Sequence, residues 1–209
     1  MAGWSLHAGR AVALPAASID TDQLIPARFM STPRDQGYGR FLLHDLRYDP
    51  DGMRVVDMPL NRHDGISVLV SRRNFGSGSS REAAVYALVD FGICAVLAPS
   101  FGDIFAANAA NNGLLAGRID PADAEALIAQ LAGGAAEARV DLVAGQAVID
   151  GKATAFALPQ TDRAKLINGW DDIDLTRAEG PRIAAFRAAR KDAAGWSWPR
   201  APEPPDPPG

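Results

Sequence analysis

Apolar residues along the chain fall into short clusters whose spacing changes from region to region, so the pattern sorts the sequence into strands and helices. Ile66 to Val70 (ISVLV) is a short β-branched apolar run, the mark of a buried strand, and Ile93 to Ala98 is a second apolar run. Arg10 to Leu14 reads as another strand. Glu82 to Phe91 carries good helix formers instead. Ala124, Leu127, Ile128 and Leu131 recur at helical spacing behind Asp120-Pro121, a cap followed by a proline suited to a first turn, and stop near Gly133-Gly134. Pro99-Ser100 opens a further helix, with Asp103 three residues on and Asn111-Asn112-Gly113 as its stop. Beyond this the period changes to two. Arg139 to Val143, Gln146 to Ile149 and Lys152 to Leu158 alternate as strands, joined at Ala144-Gly145 and at Asp150-Gly151, a strong hairpin signal. Helical segments at Asp162 to Asn168 and Leu175 to Lys191 close the pattern.

Strands joined by helical crossovers together with strands in hairpins predict an α/β protein, a three-layer β/β/α domain with an added antiparallel hairpin unit and C-terminal helices. Residues 1–192 read as that single domain. From Ala193 the composition turns Pro-rich (GWSWPRAPEPPDPPG from Gly195), and residues 193–209 are expected to be a disordered tail. Trp170 and Phe186 read as core or interface anchors. There is no internal repeat.

Charge and cysteine usage narrow the function class. The formal net charge of −4 argues against nucleic acid as a partner. The single cysteine, Cys94, forms no disulfide framework within the chain, and no apolar run reaches the length of a membrane span. The N-terminal MAGWSLHAGR lacks the apolar core of a signal peptide. These features point to a soluble, cytoplasmic protein with no membrane partner. His7, His44 and His63 fall in no close metal-ligand spacing, and no metal site is expected on this chain.

The chemistry concentrates between Arg73 and Ala84 (RNFGSGSSREAA), where a glycine-rich turn, hydroxyls, a fixed cation and a helix start coincide. Ser79 and Glu82 stand at capping-box spacing, which predicts that the helix begins at Ser79. Unpaired amides and the macrodipole make such a start attractive to anions, Gly76 and Gly78 allow the backbone to form a nest, and Arg81 adds a full charge. A carboxylate or phosphate fits there, and Ser79 or Ser80 beside the cation could lose a proton to become a stabilised oxyanion. A well-capped helix after a glycine turn accounts for the same residues without chemistry; the combination, rather than the glycines, favours a functional site.

RNFGSGSSRE, with DFGICAVLAPSFGDIF at Asp90 to Phe105 and NNGLL at Asn111 to Leu115, resembles the small subunits of bacterial 3-isopropylmalate dehydratases (isopropylmalate isomerases) of the aconitase superfamily. IDTDQLIPARFM (Ile19 to Met30) is similar to that family's opening motif and LINGWDDIDLT (Leu166 to Thr176) to its C-terminal one, so the resemblance spans most of Ala11 to Arg190. Two departures stand out. Ser77 replaces a common cysteine, and Ala83 replaces a histidine, which raises the prospect of a divergent paralogue with an altered substrate or reduced activity.

The resemblance implies the swivelling-domain fold of the aconitase C-terminal domain and a hydro-lyase subunit of leucine biosynthesis, active only with a large subunit that carries a [4Fe-4S] cluster. It implies Ser79 as the catalytic base, with Arg81, Ser80, Arg28 and Gly78 binding a small dicarboxylate hydroxy acid and with Asp22 and Asn74 supporting them from behind. Met30 to Gly39 is similar to the family's mobile substrate-sensing loop. On residues alone, IDTDQLIP reads equally well as an Asx-turn leading into a short helix. One cysteine cannot hold an iron–sulfur cluster, so this chain is expected to bind none. Two alternatives stay open: the same chemistry on another 2-hydroxy diacid (2-methylmalate, dimethylmaleate or homoaconitate), and a non-catalytic anion-binding homologue.

Overall fold

Strands with apolar side chains on both faces need cover on both sides, and this requirement organises the molecule. In the computed structural model, which describes residues 2–199, four parallel strands are β1 (Leu6–Leu14), β2 (Ile66–Ser71), β3 (Ala95–Ala98) and β4 (Leu115–Arg118). Every residue of β2 and β3 is buried. The crossover from β1 to β2 holds three single-turn helices, α1 (Thr21–Leu24), α2 (His44–Arg47) and α3 (Pro59–Arg62). Helices α4 (Glu82–Phe91) and α5 (Asp103–Asn111) form the next two crossovers. Helix α6 (Pro121–Leu131) leads from β4 to β5 (Ala136–Asp141), and β6 (Gln146–Ile149) and β7 (Lys152–Ala155) follow as hairpin partners before α7 (Gln160–Asn168).

The sheet order is β4-β3-β2-β1-β5-β6-β7, parallel from β1 to β4 and antiparallel from β5 outward. The antiparallel unit expected from the alternation therefore continues the same sheet. Two apolar clusters lie on its opposite faces. Val12, Leu14, Leu69 and Val96 face α4 and α5, whereas Ala11, Ala13, Val68, Val70 and Leu97 face Leu127, Ile128 and Leu131 of α6. The α/β class and the crossover logic of the sequence hold.

The main differences from expectation are local. β1 begins earlier than Arg10, because Leu6 to Ala11 pair with β5. β4, not expected, is a strand because Leu115 to Arg118 pair with β3. The helix expected at Ser100 starts at Asp103, since the Ser100 hydroxyl accepts from the Asn74 amide (2.9 Å). Met30 to Gly39 is fastened along α4: Arg34 pairs with Asp90 (2.5 and 2.8 Å), whose carboxylate also accepts from the Tyr38 amide (2.7 Å).

This first compact unit runs to Asp172, and a second begins at Ile173. In place of one helix over Leu175 to Lys191 there are two, α8 (Asp172–Ala178) and α9 (Gly180–Ala193), divided at Glu179-Gly180-Pro181. Phe186 is 69% exposed rather than a core anchor. Of the Pro-rich segment, Gly195–Ser197 forms a 3-10 turn and the Arg187 guanidinium lies over the Trp198 ring, while residues 200–209 fall outside the described residues. Among the described residues, no helix is long and apolar enough to cross a membrane.

Candidate functional site

The loops leaving the C-terminal ends of β1, β2 and β3 are bonded to one another. From the first loop, the Ser18 amide donates to the Arg73 carbonyl (2.9 Å) and the Thr21 amide to the Ser77 carbonyl (2.8 Å). From the second, the Gly76 amide donates to the Ile19 carbonyl (2.7 Å) and the Phe75 amide to the Ser100 carbonyl (3.0 Å). The third returns a bond from the Gly102 amide to the Phe75 carbonyl (2.9 Å). Asn74, placed behind the site by the resemblance, donates from its side chain to the Ser18 hydroxyl (3.1 Å) while its amide holds Ser100. Its place is a brace between loops.

Gly76 is fixed by two demands. Its φ is +71°, and a Cβ there would come within 2.2 Å of the Phe105 ring. Phe105 is buried and stacks parallel to Phe101, with Phe75 edge-on to both, so an apolar wedge lies directly beneath the polar turn.

The expected capping box at Ser79 does not form. Helix α4 starts at Glu82, its N-cap is Arg81, and no side chain caps it. The cause is tertiary: the buried Thr21 hydroxyl donates to the Ser79 carbonyl (3.0 Å), which holds the chain in a loop for three more residues. The capping box lies instead at Asp20, whose carboxylate accepts from the Gln23 amide (2.7 Å) while the Gln23 side chain accepts from the Asp20 amide (3.1 Å). The short helix read into IDTDQLIP is thus present, and the same turn also meets the Ser79 loop.

Ser79 is exposed and lines a cavity of about 240 Å³ shared with Gly78, Ser77, Thr21, Arg81 and Asp103. Ile104, 54% exposed, and Phe105 add an apolar side to it. The nest is smaller than the sequence implied, because the Gly76 amide is spent on Ile19. The amides of Gly78 to Arg81 have no acceptor among the described residues and remain able to meet an anion. Arg81 reaches the cavity and also donates to the Asp22 carboxylate.

Two expected substrate groups lie elsewhere. Ser80 is exposed but not part of the cavity wall. Arg28 is absent from that wall too: it forks onto Asp45 and stacks on Phe29 (4.5 Å to the ring centroid). That pairing holds the Asp45 carboxyl at about 2, below its ordinary range, with a smaller contribution from His44. Sequence reasoning overlooked Thr21, Asp103 and Phe105. Only Thr21 carried a signal, as a hydroxyl inside the IDTD turn.

Neighbouring contacts fix the start of α4. The Asn112 side chain donates to the Glu82 carboxylate (2.8 Å), which also meets Tyr86 and helps burial push that phenol above its ordinary range. Ala83, at the position of the expected histidine, is buried. Cys94, half-buried just before β3, has its thiol pushed up by burial and is not a reactive thiolate. Among the described residues, no three His, Cys, Asp or Glu side chains gather as a metal site.

Comparison with known proteins adds to this geometry. Residues 1–121 match the family model of the aconitase C-terminal domain. The chain is 41% identical over 194 residues to the 3-isopropylmalate dehydratase small subunit of Shewanella oneidensis, covering 90% of this chain and 96% of that one. It is 40% identical over 188 residues to the same-named protein of Oceanobacillus iheyensis, covering 88% and 96%. Among solved structures, a 3-isopropylmalate dehydratase from Methanocaldococcus jannaschii superposes with a TM-score of 0.63 at 24% identity, covering 87% of this chain and 99% of that one, a likeness of fold.

Proposed function

The chain belongs to the family of 3-isopropylmalate dehydratase small subunits, built on the aconitase C-terminal domain, and from that premise we propose that it is the small subunit of a hydro-lyase that isomerises 2-isopropylmalate to 3-isopropylmalate by dehydration and rehydration in leucine biosynthesis. The observation that carries this reading is the joint placement of Ser79 and Arg81 on one cavity at the ends of the parallel strands, where α/β sheets bind their ligands.

In this mechanism the Ser79 oxygen, as alkoxide, takes the proton from the carbon beside a substrate carboxylate and returns a proton when water adds back. The amides of Gly78 to Arg81 and the Arg81 guanidinium lower the cost of that oxyanion. Arg81 binds a substrate carboxylate by two parallel hydrogen bonds, and Asp22 sets the guanidinium plane. Ser80 and Arg28 join the substrate only by moving, Arg28 by leaving Asp45. The departing hydroxyl needs an electrophile. The chain's one thiol does not fit a cluster, so we assign a [4Fe-4S] centre to a large-subunit partner and this chain's residues to the proton and the carboxylate. A cytoplasmic setting, which keeps a lone thiol reduced, suits this role.

The test is co-expression with the large subunit and assay of isopropylmalate turnover. Because the Ser79 hydroxyl caps nothing, Ser79→Ala is expected to lower kcat by roughly 10²- to 10⁴-fold while the yield of complex is unchanged. Full turnover in that variant refutes the serine base.

A further inference from the structure

A second cavity, of about 460 Å³, lies between α3 and α6 beside the end of β1, and shares no residue with the Ser79 cavity. Its walls include Ala13, Ile128 and Leu131, and its rim carries charge of both signs from Arg62, Arg72, Asp57 and Glu125. That is the composition of a small-molecule site: an apolar body with a few placed polar groups.

The rim charges differ in how much bonding capacity they retain. Arg72 forks onto Glu125 (2.7 and 2.9 Å) and also donates to the Pro15 carbonyl (2.6 Å), so this pair is largely closed on itself. Arg62 is different. Among the described residues its side chain pairs only with Asp57, at 3.5 Å, and Asp57 is 93% exposed, a contact too loose and too wet to saturate a guanidinium. Next to it in sequence, His63 keeps its Nε2 shielded from solvent with no hydrogen-bond partner, which is unusual for a buried polar atom. The Arg62 fork beside the cavity's aliphatic floor is complementary to a carboxylate with a hydrocarbon body, and His63 closes the wall next to it.

We propose that this cavity binds a small aliphatic carboxylate, its charge on Arg62 and its hydrocarbon on Ala13, Ile128 and Leu131. The free acid and the corresponding α-amino acid share that chemistry.

The test is calorimetric titration of the full chain, in complex with its large subunit, with 4-methylpentanoate, leucine and isopentylamine. The expected result is binding of 4-methylpentanoate with a Kd on the order of 1 mM or tighter and none of the amine. Leucine binding as tightly assigns the site to an amino acid; weaker leucine binding assigns it to a free acid. Arg62→Gln should weaken binding about tenfold, and Ala129→Trp, which fills the cavity from an exposed wall position, should abolish it. Arg81→Gln should leave the affinity unchanged. Absence of carboxylate binding, equal binding of the amine, or undiminished affinity in Arg62→Gln overturns the proposal. So does loss of binding in Arg81→Gln alone, which places the probe in the Ser79 cavity instead.

Discussion

Gly76 and Gly151 share nearly the same backbone conformation, with φ of +71° and +77°, yet they sit in halves of one sheet that use it differently. Gly151 closes the two-residue turn between β6 and β7, paired with Asp150 at φ +46°, and a Cβ on it would meet nothing within 4 Å. Gly76 lies where three loops cross, and its missing Cβ is what lets the turn rest on Phe105. In the antiparallel half, the turns are shaped by their own residues and bonded to neighbouring elements, as Asp150 is to Gln130 and Glu137 and Leu142 is to Ser5 and Arg163, rather than to the loops at the strand ends. In the parallel half, every loop at the strand ends is held by the next one, and the chemistry-bearing groups occur there, on a scaffold whose positions are determined several times over.

Alanine at position 76 should cut this difference open. The left-handed conformation costs about 1–2 kcal/mol for a residue with a Cβ, and forcing the Phe105 ring aside adds about 1–3 kcal/mol. Gly76→Ala is therefore expected to lose about 3 kcal/mol in urea unfolding, with most of the turnover lost as well. A loss no larger than that of Gly151→Ala would mean that the loops do not brace one another. Arg81→Lys acts on the chemistry of the same half without touching its braces. Lysine keeps the charge but not the fork, so KM should rise by about tenfold, near 1.4 kcal/mol, while the urea midpoint stays in place. Unchanged KM and kcat would remove the carboxylate clamp.

The same contrast explains what could be read from the residues. β2, α4, β6, the Asp120 cap and the Asp150-Gly151 turn were legible because local sequence decides them. β4 was not, since LAGR has no strand period of its own and becomes a strand only by pairing with β3. The helix start at Ser79 was misplaced for a related reason: the spacing to Glu82 fits a capping box, but Thr21, 58 residues away, holds the Ser79 carbonyl. At the site, Gly78, Ser79 and Arg81 arrive together because they are contiguous. Arg28 depends on a fold-back of the long β1–β2 crossover, which brings Asp45 to it and sets it apart from the Ser79 cavity.

Gly151→Ala is the smallest of these effects and gives the others their scale. With no atom within 4 Å of the added methyl group, only the backbone conformation opposes it. The loss should be about 1 kcal/mol, and a stiffer unfolded chain recovers a few tenths of that. Turnover should not change, because the β6–β7 turn makes no bond to the loops around Ser79 among the described residues. Urea unfolding and isopropylmalate turnover, measured on the same preparation, check both halves of the statement. If activity falls with stability here, the antiparallel extension is coupled to the site, and the division between a half of locally shaped turns and a mutually braced half is wrong.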